Sequence, residues 1–407
     1  MSDRRPNILL ITTDQQRYDA MGLNGNPVLR TPNLDALAAA GTNFRRCYVT
    51  CPVCIPARRT LISGQHPRTH GMPGYRDGWD FDPAHTLPGE LRNAGYQTQL
   101  VGKLHLHPQR KRFGFDHMVL SDSANYRPHS AYQKENDYID WLVDQGVTTI
   151  SNAHGINGNA RTARPFHLDE PFHHTSWVAR EAQRFFRKWR DPATPWFLHM
   201  SFVAPHPPLI PPQCYWDRYI GREDLAPFLG EWVPRDDGGR RGVDPVSGAG
   251  PFPPDEIHDA IAGYYGLINH IDDCIQHVVD AYFEYATERQ REPTYILFTS
   301  DHGEMLGDHH LFRKSLPYES SAHVPLFVSG RNVDLPRGEC DALATWEDVM
   351  PTILDLAGVP VPEGLDGRSL VPAMRGEAPG VRETIFGYCQ GGRGSNYYLV
   401  HGDWKYI

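Results

Sequence analysis

Apolar positions along this chain fall into two recurring patterns. Continuous apolar runs bounded by turn residues mark strands buried on both faces: Ile8 to Ile11, Trp196 to Val203, Thr294 to Ser300 and Val324 to Ser329. Phe44 to Val49 and Tyr96 to Gly102 are two further strand candidates. Between them, helical spacing with capping residues marks Pro32 to Ala40 behind Thr31, Leu87 to Ala94 before Gly95, Ser176 to Trp189 behind Thr175, Asp255 to about Tyr285, and Trp346 to Ala357 before Gly358. Pro351 should kink the last of these or mark its true first turn. Alternating strands and helices predict a mostly parallel sheet covered on both faces, with ligands beyond the C-terminal strand ends. The stretches 108–175 and 211–255 lack this patterning and read as excursions, the first shaping a pocket mouth. Tyr397 to Val400 and Trp404 to Ile407 read as a hairpin through His401-Gly402-Asp403.

Polar constellations fall at these strand ends or just beyond: Asp14-Gln15, Cys54, Lys103 with His105, His206, and Asp301-His302. In Cys51-Pro-Val-Cys54-Ile-Pro56-Ala-Arg58, Pro56 suits a first helical position and Gly64 a stop, which places Cys54 at a helix start. There the dipole and free N–H groups favour negative charge, and Arg58, a turn later, adds a positive one. The plainer alternatives are a helix-start cysteine or half of a Cys51-x-x-Cys54 redox or zinc pair, for which no second Cys-x-x-Cys exists. Asp14, Gln15, Asp301 and His302 form an oxygen-rich set with one imidazole, suited to a hard or borderline divalent cation. Lys103 and His105, two apart in extended chain, would face one anion.

Composition narrows the classes. A formal net charge of −9 over 407 residues argues against nucleic acid as the main partner. Seven scattered cysteines make no disulfide framework, no apolar run approaches a membrane span, and the start Met1-Ser-Asp-Arg-Arg-Pro is no signal peptide. The expectation is a cytoplasmic protein without a membrane partner.

The residues Cys54-x-Pro56-x-Arg58 with Gly64 resemble the signature of the formylglycine-dependent type I sulfatases of the alkaline phosphatase superfamily. Gly95-Tyr96-x-Thr98-x-x-x-Gly102-Lys103-x-His105 resembles the second signature of that family, and Asp301-His302-Gly303 with Gly307, Asp308 and Lys314 resembles a third segment. Tyr264 to Asp273 and Asp348 to Gly358 resemble structural segments, so the likeness spans residue 7 to about 405.

The resemblance implies an alkaline-phosphatase-like α/β fold: a mostly parallel central sheet sandwiched by helices in a catalytic domain 1–380, and in 381–407 the start of a small antiparallel C-terminal subdomain that continues in relatives. It implies hydrolysis of a sulfate ester, small-molecule or saccharide, by a formylglycine made from Cys54 by a formylglycine-generating enzyme. One divalent ion would be held by Asp14, Gln15, Asp301, His302 and residue 54. The family default is Ca²⁺, with Mn²⁺ the alternative because Gln15 and His302 replace the commoner Asp and Asn. Arg58, Lys103 and Lys314 would offset sulfate charge. His206 with Lys314 would protonate the leaving alcohol, and His105 would take a proton as sulfate departs. His309 is a second-rank candidate near the metal or leaving group. A phosphonate monoester or phosphodiester hydrolase with the same nucleophile is the near alternative, and a non-catalytic binding protein on the same fold the distant one. The leaving alcohol and homo-oligomerisation are left open.

Overall fold

The structure, a computed structural model, describes residues 5–123, 136–147, 155–233, 244–284, 292–391 and 394–407. Parts of both excursions, and Tyr285 at the expected end of the long helix, lie outside the described residues.

The strands are β1 Asn7–Asp14, β2 Thr42–Phe44, β3 Cys47–Tyr48, β4 Gln97–Gly102, β5 His117–Leu120, β6 Trp196–Pro205, β7 Thr294–Ser300, β8 Leu326–Arg331, β9 Gly338–Cys340, β10 Ala344–Thr345, β11 Thr384–Gly391, β12 Gly394–His401 and β13 Trp404–Tyr406. Eight form one sheet in the order β5-β4-β6-β1-β7-β8-β2-β9. The block β5-β4-β6-β1-β7 is parallel throughout, and β8 runs against both of its neighbours.

The continuous apolar runs belong to strands with helices on both sides. Along β1, Leu9 and Ile11 enter one core with Leu34 of the helix Pro32–Ala39, Trp177 and Val178 of His174–Arg184, and Ile268 and Ile271 of Pro254–Glu284. Ile8 and Leu10 enter the other core with Ala57 and Leu61 of the helix Cys54–Ser63, Leu91 of Leu87–Asn93, and Ile353 of Val349–Leu356. The period-two alternation of a strand sorts these neighbours to opposite faces. A separate antiparallel sheet, β11-β12-β13, closes the chain, its hairpin turning at Gly402-Asp403 as expected.

Several local expectations change. Phe44 to Val49 is not one strand: β2 joins the main sheet, whereas β3 pairs with β10. Thr31 does not cap its helix by a side-chain bond. Its hydroxyl donates to Asp35, and the first-turn N–H groups of Asn33 and Leu34 go to the Asp272 carboxylate, a partner 238 or more residues away. Thr175 lies inside the helix His174–Arg184, which His173 caps by accepting from Thr175 N, and 185–189 continue as a π turn. Trp346–Asp348 is a 3₁₀ turn, and Pro351 stands in the first turn of the α-helix behind it, where a missing N–H is harmless. Among the described residues no helix is long and apolar enough to cross a membrane.

Candidate active site

The strand order assembles the site. β4, β6, β1 and β7 are consecutive parallel neighbours, so their C-terminal ends lie side by side. From those ends project Lys103, His206, Asp14 and Asp301-His302, which are far apart in sequence. The ladder between β1 and β6 slips between Thr12 and Asp14, and Gln15 beyond it is left-handed at φ 77°. Such strain at a strand end is held by the surrounding bonds: Gln15 N donates to Asp301 Oδ1 at 3.1 Å and Gln15 O accepts from the Tyr264 hydroxyl at 2.7 Å.

Cys54 arrives from the other core as the first residue of its ten-residue helix; Pro56 is therefore third rather than first. Gly64, left-handed at φ 65°, ends it as expected. Cys54 Sγ lies 3.2 Å from His302 Nε2 and 3.8 Å from Asp14 Oδ1. Ligand atoms of Asp14, Cys54, Asp301 and His302 all fall within 4.8 Å of one another, and all four residues are buried. His302 Nδ1 donates to the Gly303 carbonyl at 2.9 Å, which leaves the Nε2 lone pair 3.4 Å from Asp14 Oδ1 and 3.5 Å from Asp301 Oδ1. Two buried carboxylates and a lone pair of fixed tautomer form a donor set that fits one divalent cation. The Gln15 amide lies between Lys314, whose charge acts on Asp14, Cys54 and His302, and Glu304: its Oε1 accepts from Lys314 Nζ at 2.5 Å and its Nε2 donates to Glu304.

Each buried carboxylate has a cationic partner. Lys103 Nζ pairs with Asp14 Oδ2. Arg58 Nε meets Asp301 Oδ2 at 2.8 Å, and its Nη1 donates to Lys103 O and Ser201 Oγ, both at 3.0 Å. Arg58 thus sits behind Asp301, not on the wall of the cavity. Burial alone would raise the Asp14 carboxyl, but Lys103, His206, Lys314 and His302 outweigh it and hold it well below the usual carboxylate range. Burial and Asp14 push the Cys54 thiol up, and Lys314, Lys103 and a hydrogen bond with His206 more than reverse this. The pocket therefore favours negative charge at position 54.

Above this floor opens a cavity of about 460 Å³, lined among others by Cys54, Lys103, His105, His206 and Lys314. Lys103 and His105 do face it together, but through a turn instead of extended chain: His105 is left-handed at φ 57°, and Asp122 Oδ1 holds the N–H groups of Leu104 and His105 at 2.9 and 2.6 Å. Burial, then Lys103 and Arg58, push the His105 imidazole well below its ordinary value. Burial and Lys314 lower His206, whose Nδ1 donates to Pro207 O at 2.7 Å. His309 is elsewhere, packed among Phe228, Trp232 and Tyr318.

Several supporting residues carry no signal in the sequence. Ser201 and Asp122 look like ordinary polar residues, and Glu304 sits inside a matched motif without a role of its own. Long-range hydrogen bonds alone reveal them.

Fold and site together define a hydrolase of the alkaline phosphatase superfamily. The phosphonate monoester hydrolase of Agrobacterium radiobacter superimposes with a TM-score of 0.76 at 25% identity, covering 99% of this chain and 87% of that one. An arylsulfatase of Clostridium perfringens is 37% identical over 99% of this chain and 85% of its own length. The multifunctional alkaline phosphatase superfamily protein PehA of Trinickia caryophylli is 32% identical, over 94% and 80%. The sulfatase family model matches residues 6–359, and the chain belongs to the sulfatase family of sulfuric ester hydrolases.

Proposed function

We infer that this protein hydrolyses sulfate esters at the cavity over Cys54, with residue 54 as formylglycine and one divalent ion on Asp14, Asp301, His302 and the Gln15 oxygen. The observation that carries this reading is the convergence of Cys54 with a buried cation set below and Lys103, His105, His206 and Lys314 beside it. As formylglycine, residue 54 would supply a hydrated aldehyde as nucleophile, and an ion held by Asp14, Asp301, His302 and Gln15 would supply positive charge beside it.

The chain's own residues do the rest. Lys103 and Lys314 meet the sulfate oxygens in a site partly sheltered from water, where each fixed charge acts more strongly than in solution. Arg58 positions Asp301. His206, with Nδ1 on the Pro207 carbonyl, presents Nε2 to residue 54, accepts a proton there and, with Lys314, passes it to the departing alcohol. His105, kept neutral by burial and its cationic neighbours, receives a second proton at residue 54 as sulfate leaves. Ca²⁺ and Mn²⁺ both suit the donors, and the imidazole favours Mn²⁺. Tyr75, Phe166, Ile210 and Leu267 give the cavity an apolar side, which suits an aromatic alcohol.

The test compares turnover of an aryl sulfate, a phosphonate monoester and a phosphodiester by protein from a host that converts the cysteine. The expected order puts the aryl sulfate first. A phosphonate monoester or phosphodiester turned over faster would replace this reading with the alternative named in the sequence analysis.

A further inference from the structure

Glu304 lies buried behind the cavity floor, and its two carboxylate oxygens have divided tasks. Oε1 accepts two backbone N–H groups, from Leu306 at 2.9 Å and from Arg313, next to the cavity-lining Lys314. Oε2 accepts from the Gln15 amide nitrogen. The Gln15 backbone is already pinned through Asp301 and Tyr264. One choice remains for its side chain: which end of the amide faces which neighbour. Both Glu304 oxygens are thus occupied as acceptors of N–H groups, and an ammonium only donates. Glu304 on one side and Lys314 on the other therefore leave a single satisfied orientation, nitrogen toward Glu304 and oxygen toward Lys314.

We propose that Glu304 is a positioning residue that locks the Gln15 amide with its oxygen on the side of Lys314 and the cation site, making Gln15 an oxygen donor there. Glu304 touches neither substrate nor cation; it acts through Gln15. The inference rests on the floor being a cation site.

The isosteric variant Glu304→Gln isolates this role. Its one carbonyl oxygen can keep both backbone N–H groups, because both already go to Oε1. Its amide nitrogen is then left facing the Gln15 nitrogen, two donors in opposition, and a flip would only turn that nitrogen onto Lys314, so no satisfied orientation of Gln15 remains. Calorimetric titration of metal-free protein with Mn²⁺ should show affinity lowered about 10–100-fold, as for other outer partners of metal ligands, with the thermal unfolding midpoint near that of the parent. Gln15→Glu alone should also weaken Mn²⁺ binding although it adds negative charge at the site, because two carboxylates then face each other. Combining Gln15→Glu with Glu304→Gln restores a donor–acceptor pair and should recover most of the loss, a coupling that a mere backbone clamp would not produce.

Parent-like affinity in Glu304→Gln, or a double variant no better than the weaker single one, would overturn the proposal. If Glu304→Gln fails to fold, Gln15→Glu decides: tighter Mn²⁺ binding overturns it and weaker binding supports it. A parent that binds no Mn²⁺ overturns the cation site and the lock with it, whereas a binding parent matched by its variants overturns the lock alone.

Discussion

On the cavity floor, each buried carboxylate faces a cation: Asp14 meets Lys103, and Asp301 meets Arg58. The wall is different. His174 is buried there and His105 and His206 are half-buried, all three with imidazoles pushed below their ordinary value, His174 to about 3 by burial, then by His173 and Lys103. Asp14, Lys103 and Asp301 stand at or next to the ends of rigid parallel strands, Arg58 stands within the helix Cys54–Ser63, and all four charges exist before any substrate arrives. That is electrostatic preorganisation, which costs no reorientation at the moment of reaction. Wall groups stay neutral and can each gain and lose a proton. One cavity thus separates permanent charge from exchangeable protons, with residue 54 between them.

The largest effect expected from breaking this arrangement is at its centre. Cys54→Ala should lower turnover on the order of 10⁵–10⁶-fold, the scale of deleting a nucleophile, with an unfolding midpoint near that of the parent. Residual activity close to the parent's would remove residue 54 from the chemistry. Mass spectrometry of the 54-containing peptide should independently show cysteine converted to aldehyde in active material.

Next comes the floor. Asp301→Ala removes one proposed ligand and leaves Arg58 buried without its partner, a loss of ~3–5 kcal/mol for a broken buried pair. Denaturant unfolding should report that loss, and metal analysis should find the bound ion depleted from about one per chain. Unchanged stability and metal content together would show that the floor charges are not a working unit.

The wall should behave differently from the floor, losing rate without metal. His206→Ala should cost about 10²–10⁴-fold, as for general acid–base groups, most for alcohols of high pKa and least for activated aryl sulfates. His105→Ala should release about one equivalent of alcohol per active site and then stall. Equal losses for both variants across leaving groups, with no burst in either, would show that the two imidazoles do not divide the proton work.

The smallest effect is on stability against pH. His174 has a folded pKa of about 3, below the ordinary 6.5, so the unfolded chain binds the extra proton first. Its contribution is therefore complete above pH 6.5 and is lost as pH falls from 6.5 toward 3. Each unit in that window costs about 1.4 kcal/mol, so roughly 2 kcal/mol should go between pH 6.5 and 5. His174→Phe should flatten the acid limb of a stability–pH curve, and an unchanged slope would show that His174 is not buried neutral.

What could be read from residues alone has a common character: it is local. The strands Trp196–Pro205 and Thr294–Ser300, the left-handed stop at Gly64 and the terminal hairpin follow from apolar runs and turn chemistry within a few residues. The motif residues Asp14, Cys54, Lys103, His105, His206, Asp301 and His302 could be picked out because each sits at or just beyond the start or end of a strand or helix, and Lys314 because it falls in register with the segment that begins at Asp301. Their chemistry as a set was legible for the same reason, since parallel strands bring such ends together.

Partners distant in sequence belong to the tertiary structure. No local pattern could say that Asp272 would cap the helix at Asn33 and Leu34, that Phe44 and Tyr48 would join different sheets, or that Arg58 would turn behind Asp301. Nor could it say that Asp122 would bend the chain at His105, or that Glu304 would orient Gln15. The physical reason is the same in each case. Burial leaves a polar group in need of a partner, and which group supplies it depends on strand order and packing. Spacing along the chain decides which residues point toward a strand end; only the order β4-β6-β1-β7 decides which of them meet.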